Sequence, residues 1–298
     1  MASVRVAIID VGANTLRLLV AGPSGGGHVV RVHEEREQLG LGQEVERYGY
    51  ISDPKTARAA EVARDQTRKA RRLGCERVEI VVTSPGRQAA NGPEFARALA
   101  QATRVPARIL SAEEEGALAW EGAVATLEVV PESIAVCDVG GGSTQMVVGT
   151  RTSGAAWVRS VDLGSLRLTE RLLSGDPPNA EDLDQARAEV RRAFEAVAPP
   201  VAQLALAAGG TARALGRLVG TLDGESLASA VARLSKLERA KIVKRLGVAP
   251  QRAATLLAGT ILFAEVQERL GIPLRVARAG VREGCALALF RESITAYA

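Results

Sequence analysis

The sequence predicts an α/β protein built from two similar domains, and three observations support this fold class. A chain of 298 residues is too long for one small core and suits two domains of ordinary size. Short apolar segments alternate with longer helical ones in both halves, as in chains that form sheets covered by helices. The pattern around Asp10 also returns around Asp138, at an offset of 128 residues, and we interpret this return as an internal duplication.

In the first half, the elements follow from apolar runs and helix-start signals. Residues 4–10 form a continuous apolar run that predicts a buried strand, and residues 16–22 predict its hairpin partner. A helix is predicted over residues 53–73, with Asp53 as its N-cap and Pro54 at its first position. The other predicted elements of this half are strands at 78–83 and 107–110 and helices at 93–103 and 111–125.

The second half repeats the start of the first. Residues 7–12 (AIIDVG) align with residues 135–140 (AVCDVG), and Thr15 then falls on Ser143 without a gap. Because the strand, the acid, the glycine, the hydroxyl and the return strand all recur in register, chance is a poor explanation. The predicted hairpin strands of this half are residues 133–139 and 145–149.

The predicted domain boundary lies between residues 125 and 126. The first domain spans residues 1–125 and the second residues 126–298, with a closing helix at about 284–298 that is able to pack back on the first domain. The remaining predicted elements are a strand at 155–161, helices at 163–173 and 180–197, a strand at 201–207, a helix from Gly209, a helix after a capping box at 235–238, a helix at 250–270, a strand at 273–277 and a helix at 282–298.

Composition narrows the class of protein. Hydrophobic residues make up 47% of the chain and aromatic residues only 3%, so the core must be aliphatic. No run of 18 apolar residues predicts a membrane span, and the N-terminus lacks the layout of a signal peptide. Three widely spaced cysteines argue against a disulfide framework or a zinc site, and His28 and His33 are expected to be surface or core residues. We therefore expect a cytoplasmic protein.

Charge suggests the kind of ligand. The net charge of +4 and the isoelectric point of about 9.2 fit an anionic ligand, because the summed charge of a protein steers anions. Solvated helix faces and GC-rich coding also produce arginine-rich sequences, so charge alone does not decide. Without a basic tail or many aromatic side chains, nucleic acid is not expected as a partner, and neither is a membrane. A monomer and a homodimer both remain open.

The two glycine-rich hairpins are the first candidate site. A tight glycine turn presents bare backbone amides to a phosphate, and Thr15, Ser143 and Thr144 add hydroxyl donors. Asp10 and Asp138 cannot bind phosphate directly, since like charges repel, and are better suited to holding a divalent metal. One such turn is equally well a plain β-turn. Two in register predict a phosphate site in a cleft between the two domains.

Three further segments carry candidate residues. Gly209-Gly210-Thr211 lies between a strand and a helix, where helix N-termini bind anions, although such turns also need glycine for geometry alone. Ser111 and Glu114 form a predicted capping box, whereas Glu115 is one carboxylate more than capping needs. Arg87 follows the end of a strand, where ligands of α/β sheets bind, and a guanidinium grips phosphate bidentately.

Taken together, these segments resemble the exopolyphosphatase and guanosine pentaphosphate phosphatase (Ppx/GppA) family in its short two-domain form. The resemblance implies two duplicated RNase H-like domains of the actin-like ATPase superfamily with an interdomain cleft. It also implies hydrolysis of terminal phosphoanhydride bonds with Mg²⁺ as cofactor, or with Mn²⁺ in its place. The segments that carry it are residues 10–15 (DVGANT), 83–89 (TSPGRQA), 111–116 (SAEEEG), 138–144 (DVGGGST), 209–211 (GGT) and 282–284 (REG).

The resemblance also implies roles for individual residues. Glu115 matches the catalytic base that deprotonates the attacking water, and Asp138 and Asp10 match metal-holding positions. Positioning of in-line phosphates and neutralisation of their charge are the main requirements of phosphoryl transfer. The residues expected to bind phosphate are Asn14, Thr15, Arg87, Gly141, Gly142, Ser143, Thr144, Gly210 and Thr211.

The sequence departs from the family pattern at two positions. Ala13 stands where the family usually has Ser, and Gln145 stands where it usually has Glu. The expected substrate is inorganic polyphosphate, with a preference for short chains expected from the short two-domain form. Guanosine pentaphosphate is an alternative substrate. Because Gln145 removes an acid, a regulator that binds phosphate without turnover is a third possibility, and an ATP-dependent sugar kinase is disfavoured by the helix start at Glu115.

Overall fold

We describe the protein from a computed structural model that defines residues 4–295 and the side chains of residues 4–292. The chain forms two compact units. The first comprises the residues up to Leu127 together with those from Ala279 onward, and the second comprises Glu128–Arg278. The domain change therefore lies two residues beyond the predicted position, and the closing helix belongs to the first unit rather than to the second.

The first unit is built on a five-stranded mixed sheet. Strand β1 occupies its centre, antiparallel to β2 and parallel to β4. Strand β3 pairs with β2 at one edge, and β5 pairs with β4 at the other, so the order is β3-β2-β1-β4-β5. The strands are β1 (Arg5–Val11), β2 (Thr15–Pro23), β3 (Val29–Gln38), β4 (Cys75–Val82) and β5 (Ala107–Ile109).

Helices cover both faces of this sheet. Alternate side chains of β1 point to opposite faces, so Ala7 and Ile9 join one core cluster while Val6 and Ile8 join the other. The first cluster includes Val62 and other side chains of α2 and α4, and the second includes side chains of α5 and α12. The helices are α1 (Leu41–Tyr48), α2 (Asp53–Arg72), α3 (Ser84–Gln88), α4 (Gly92–Thr103), α5 (Ala112–Val124) and α12 (Val281–Thr295).

The start of α2 corrects one detail of the sequence interpretation. The N-cap is Ser52, whose hydroxyl accepts a hydrogen bond from the Lys55 amide, and Asp53 is the first helical residue. Ser and Asp are almost equally good N-caps, so adjacent residues of the two types leave the exact start ambiguous. Asp53 instead supplies negative charge in the first turn, where the helix dipole favours it.

The second unit has its own five-stranded sheet, in the order β10-β9-β6-β7-β8. Central strand β6 is antiparallel to β7 and parallel to β9, β8 pairs antiparallel with β7, and β10 pairs parallel with β9. The strands are β6 (Ile134–Val139), β7 (Thr144–Thr150), β8 (Gly154–Val161), β9 (Leu204–Ala208) and β10 (Leu274–Val276).

Six helices of this unit pack around an aliphatic core. Helix α11 is buried along most of its length and contributes Leu256, Leu262 and Phe263 to the core. The helices are α6 (Ser165–Leu172), α7 (Ala180–Ala193), α8 (Gly209–Val219), α9 (Gly224–Leu234), α10 (Arg239–Leu246) and α11 (Pro250–Leu270).

The capping box predicted at residues 235–238 is wrong. Ser235 is the C-cap of α9, and α10 starts at Arg239 with Glu238 as an N-cap that makes no side-chain capping bond. The Ser-x-x-Glu spacing is met, but the segment forms the turn between two helices, so Ser235 donates its hydroxyl backward to the Ala232 carbonyl.

The internal duplication is visible in strand order and hydrogen bonding. Read from the opposite edge, the second sheet runs β8-β7-β6-β9-β10, which matches β3-β2-β1-β4-β5 position by position and direction by direction. Asp10 pairs across its hairpin with Arg17, and Asp138 pairs with Gln145. The predicted fold class, an α/β protein of two duplicated RNase H-like domains, is confirmed.

Two properties of the whole chain complete the description. Between residues 4 and 295, no single helix is long and apolar enough to cross a membrane, and only the bent pair α10–α11 meets the length and composition limits together. The three cysteines, Cys75, Cys137 and Cys285, are buried free thiols.

Candidate phosphate-binding and catalytic site

The first hairpin turn holds a short loop whose carbonyls accept hydrogen bonds from backbone amides. The Gly12 amide donates to the Thr15 carbonyl at 3.0 Å and closes the turn. The carbonyls of Ala13 and Asn14 accept hydrogen bonds from backbone amides within residues 39–42, at 2.7 to 3.0 Å. Within the described chain, the amides of Ala13 and Asn14 and the carboxamide of Asn14 have no hydrogen-bond partner. The loop therefore offers donors to an anion.

Asp10 lies at the end of β1, beside the first loop. Burial raises the pKa of its carboxyl, and the positive charges of Arg282 and Arg17 partly oppose that rise, while Glu283 adds to it. Arg17 comes from the partner strand of the hairpin, and the other two groups come from the first turn of α12. Asp10 is therefore a carboxylate whose charge costs free energy unless a cation approaches it.

The first turn of α12 carries two buried charged residues that are tied to β3. The guanidinium of Arg282 pairs with Glu34 at 2.9 Å, and Glu283 pairs with Arg31 at 2.8 Å. Glu283 also accepts the Gly280 amide at 2.9 Å, so its side chain is fixed at the helix start. These contacts give the Arg282-Glu283-Gly284 segment a structural role beside Asp10.

Arg87 and Glu115, which the sequence singled out separately, form an ion pair. Nη1 of Arg87 lies 2.7 Å from Oε2 of Glu115 and donates to the Leu110 carbonyl at 2.9 Å. Both side chains are largely buried, with 16% and 11% of their surface exposed. Because the surroundings exclude most water from the pair, its charge-assisted bond is strong and holds the Glu115 carboxylate in one orientation.

The neighbouring acids of α5 have other tasks. Glu114 and Ser111 form the predicted capping box, with bonds of 2.7 and 3.0 Å, and Glu114 also pairs with Arg108 at 2.6 Å. Glu113 is exposed at the helix start. Of the three consecutive acids, only Glu115 is buried, so capping does not explain it.

The second hairpin turn repeats the first with a barer loop. The Gly140 amide donates to the Ser143 carbonyl at 3.0 Å, as in the first turn. The carbonyls of Gly140 and Gly141 accept hydrogen bonds from amides of residues 165–167 at the start of α6, at 2.9 to 3.1 Å. In the described part of the chain, the Gly141 amide donates to no acceptor. The α6 start thus fixes the loop by its carbonyls and leaves a donor available.

Two side chains that follow this loop point into the protein. The Thr144 hydroxyl is fully buried and donates to the Leu163 carbonyl at 2.7 Å, which anchors the base of the loop. Nε2 of Gln145 donates to Ser143 Oγ at 2.9 Å and to Ser160 Oγ at 3.1 Å. Gln145 is 1% exposed, and its Oε1 atom has no hydrogen-bond partner among the described residues.

Asp138 lies against the N-terminus of α8. Gly209 has a φ of +88°, and a Cβ there would lie 2.6 Å from the Asp138 carboxylate, so only glycine allows this approach. The turn therefore places a carboxylate beside the first amides of a helix. Sequence reasoning selected Asp138 and Gly210 separately, and the structure brings them to one end of the second sheet.

Arg252 is a candidate residue that sequence reasoning missed. It lies in the first turn of α11, and its Nη1 donates to Thr211 Oγ1 at 2.7 Å, while Nη2 lies against Gly210. The guanidinium therefore adds positive charge to a helix N-terminus that already favours anions. No local pattern marks this arginine, because 41 residues separate it from Thr211.

No cluster of metal ligands stands out. In the part of the chain that the structure describes, no group of three or more His, Cys, Asp and Glu side chains could hold a metal ion. Asp10 and Asp138 each stand as one carboxylate in their own unit, which is the donor number that Mg²⁺ uses when substrate phosphates and water complete its shell.

Comparison with known proteins places the chain in a family. Residues 23–292 match the model of the Ppx/GppA phosphatase family. Exopolyphosphatase 2 of Mycobacterium tuberculosis is 31% identical, over 97% of this chain and 99% of that protein. A crystal structure of the Aquifex aeolicus family member has a TM-score of 0.83 and 25% identity, covering 97% of this chain and 98% of that one. A crystal structure of an exopolyphosphatase-like protein shares the fold, with a TM-score of 0.88, 24% identity and coverage of 99% and 100%. The chain therefore belongs to the Ppx/GppA phosphatase family.

Proposed function

We propose that this protein releases terminal phosphate from inorganic polyphosphate, by attack of a water molecule that Glu115 activates. The observation that carries the proposal is the buried Glu115 carboxylate, held by Arg87 at 2.7 Å and not needed for helix capping. Support also comes from family membership and from a relative that is named an exopolyphosphatase.

Glu115 and Arg87 have complementary chemistry in this proposal. A carboxylate fixed in one rotamer can accept a proton from water and orient it for in-line attack. The guanidinium of Arg87 pairs with Glu115 and donates to the Leu110 carbonyl through Nη1. Arg87 therefore fixes the orientation of the proposed base, and its positive charge favours a phosphate nearby.

The proposed phosphate contacts combine backbone amides, hydroxyls and one further cation. In each unit, the amides of the hairpin loop are donors suited to phosphate oxygens, and the second unit adds the amides of the α8 N-terminus. Thr144 has its hydroxyl hydrogen engaged by Leu163, so its contribution is to anchor the loop. The residues we propose to touch phosphate are Asn14, Thr15, Arg87, Gly141, Gly142, Ser143, Gly210, Thr211 and Arg252.

The donor set also fits Mg²⁺. Asp138 and Asp10 are the carboxylates that would hold the ion, and the raised pKa of the Asp10 carboxyl is the expected state of a buried acid that awaits a cation. When bound, Mg²⁺ neutralises phosphate charge as it develops in the transition state. Orientation of water and grip on the phosphates remain with Glu115 and the loops.

The decisive experiment compares Glu115→Gln with Glu113→Gln. Purified protein is incubated with Mg²⁺ and tripolyphosphate, long-chain polyphosphate or guanosine pentaphosphate, and released phosphate is measured. Glu115→Gln should lower kcat by roughly two to four orders of magnitude, since it removes the general base. Glu113→Gln removes the same charge from the same helix turn, at an exposed position, and should leave kcat unchanged.

The outcomes separate the alternatives. Unchanged turnover in Glu115→Gln would show that another group is the base. Preferential release from guanosine pentaphosphate would replace polyphosphate by that substrate with the same chemistry. A second candidate function, phosphate binding without turnover, is favoured by Gln145 in place of the usual acid. It predicts that polyphosphate raises Tm while no substrate in the panel is hydrolysed.

A further inference from the structure

A basic pocket lies in the second unit, at the far end of α8 from the phosphate-binding N-terminus. Its volume is about 440 Å³, and three arginines line it: Arg213 and Arg217 of α8 and Arg275 of β10. The rest of the lining consists of apolar side chains, glycines and Thr221, without a carboxylate. Three guanidinium groups around one open pocket make its surface positive, which favours an anion.

Two of these arginines have no protein partner. Among the described residues, Arg217 and Arg275 make no hydrogen bond or ion pair, although most arginines of this chain do. Arg217 is on the exposed side of α8, and Arg275 is on β10, which has a sheet partner on one side only. Their charges are therefore available to a ligand, and guanidinium groups bind phosphate bidentately.

Helix α8 connects this pocket to the proposed phosphate site at Gly210 and Arg252 in the same unit. Gly210, Arg213 and Arg217 have the spacing i, i+3, i+7, which places them on one face of the helix. The opposite face is buried through Ala212 and Leu215. From Gly210 to Arg217 the distance along the axis is roughly 10 Å, at about 1.5 Å per residue. One helix face thus begins at the Gly210 and Arg252 phosphate site and ends in the pocket.

We propose that the face of α8 from Gly210 to Arg217, together with Arg275, is a binding track for a polyphosphate chain that extends from the Gly210 and Arg252 phosphate site of the same unit. The inference rests on the proposed function, since it takes that substrate as given. A linear polymer with one negative charge per unit suits cations repeated along a helix, whereas a compact anion would meet only one end of the track. Tripolyphosphate has three units, so it occupies fewer positions along this face than a long chain does.

The test separates long from short substrates. The double variant Arg217→Gln/Arg275→Gln removes two charges from the track, and Arg191→Gln/Arg233→Gln removes two exposed charges from α7 and α9 of the same unit. KM and kcat are measured with tripolyphosphate and with long-chain polyphosphate. Dissociation constants for both are measured by calorimetry in the Glu115→Gln background, where turnover does not consume the probe.

The track variant should raise KM and Kd for long-chain polyphosphate about 3- to 10-fold, since each exposed ion pair contributes only modestly to affinity. Its constants for tripolyphosphate should equal those of the control. Equal long-chain constants in the two double variants would overturn the proposal. Equal weakening of tripolyphosphate would overturn it too, because the arginines would then hold a separate oligophosphate. If wild type hydrolyses neither substrate, the proposed function fails, while the binding constants still decide whether the track exists.

Discussion

At the scale of single residues, Gln145 determines how the Ser143 hydroxyl in the second hairpin loop can hydrogen-bond. The amide group donates to Ser143 Oγ, so the Ser143 hydroxyl acts as an acceptor towards Gln145 and does not direct its hydrogen at it. A carboxylate at this position could only accept, and would draw that hydrogen inward. In the proposed function, where Ser143 donates to phosphate, Gln145 is compatible with that role, at the cost of a buried Oε1 atom without a partner among the described residues.

Gln145→Glu tests this interpretation. We expect KM for tripolyphosphate to rise about 2- to 10-fold, the value of one hydrogen bond of about 0.5–1.5 kcal/mol, with kcat unchanged. Steady-state kinetics give both constants, and Gln203→Glu, at an exposed position of the same unit, controls for the added charge. A kcat that increased tenfold or more would show that an acid at position 145 takes part in the chemistry.

Asp10 gives a prediction about pH. Burial raises the pKa of its carboxyl in the folded state, while Arg282 and Arg17 oppose the rise and Glu283 adds to it. A group with a raised folded pKa stabilises the fold fully below its unfolded pKa of about 3.9 and loses that contribution as the pH rises through the folded pKa. The Tm of Asp10→Asn relative to that of wild type should therefore be higher at about pH 8 than at about pH 4. The activity of this variant should fall about 10- to 100-fold.

Thermal unfolding in chelator, at the two pH values, measures this difference. The exposed acid Asp65 serves as control, because Asp65→Asn should show no pH-dependent change in Tm relative to wild type. A wild-type protein that is more stable than Asp10→Asn at pH 8 would contradict the argument, since Arg282 and Arg17 would then outweigh burial.

At the scale of elements, the sequence reveals what is local and hides what is not. Both hairpin loops and the α5 start were predicted, because an apolar strand, a glycine turn and a capping box are contained in a few residues. Strand β3 was not delimited, because it is an edge strand that pairs with β2 alone and carries charges on both faces. Arg252 was missed because only folding brings α11 to the start of α8.

The contact between α8 and α11 leads to an element-scale prediction. A Cβ at Gly259 of α11 would overlap Thr211 Cγ2, at the first turn of α8. Gly259→Ala should therefore destabilise the protein by about 1–3 kcal/mol, as overpacking does, and raise KM by displacing Thr211 and Gly210. Chemical denaturation and phosphate-release kinetics measure the two effects.

Gly224→Ala is the matched control for that change. Its Cβ would meet only the flexible end of the Gln267 side chain, at 3.1 Å, and alanine has the better helix propensity. Gly224→Ala should leave the free energy of unfolding close to that of wild type, and KM within a factor of about two of it. A Gly259→Ala protein with the same stability as this control would show that α8 and α11 can separate without cost.

At the scale of the whole molecule, the chain returns to its first unit at the very end. The second unit is inserted between Leu127 and Ala279, and α12 then completes the core beneath β1 and β2. The sequence predicted the duplication from the repeated hairpins and allowed the closing helix to pack back. It could not settle which unit owns α12, because an apolar helix is equally suited to either sheet.

Because α12 completes the core of the first unit, we can predict the result of removing residues 279–298. The truncated chain would lose the α12 side chains of the second core cluster, namely Val281, Cys285, Ala286, Leu289 and Phe290. The three largest contribute about 1.5–3 kcal/mol each, a large part of the about 5–15 kcal/mol that stabilises a domain. Hydrogen exchange should therefore show lost protection in β1 and β2, with protection retained in β6 and β9.

Glu292→Ala, which removes only the exposed ion pair with Arg77, should leave exchange in β1 unchanged. Full protection of β1 in the truncated chain would mean that α2 and α4 alone stabilise the first sheet, and that α12 is dispensable for folding.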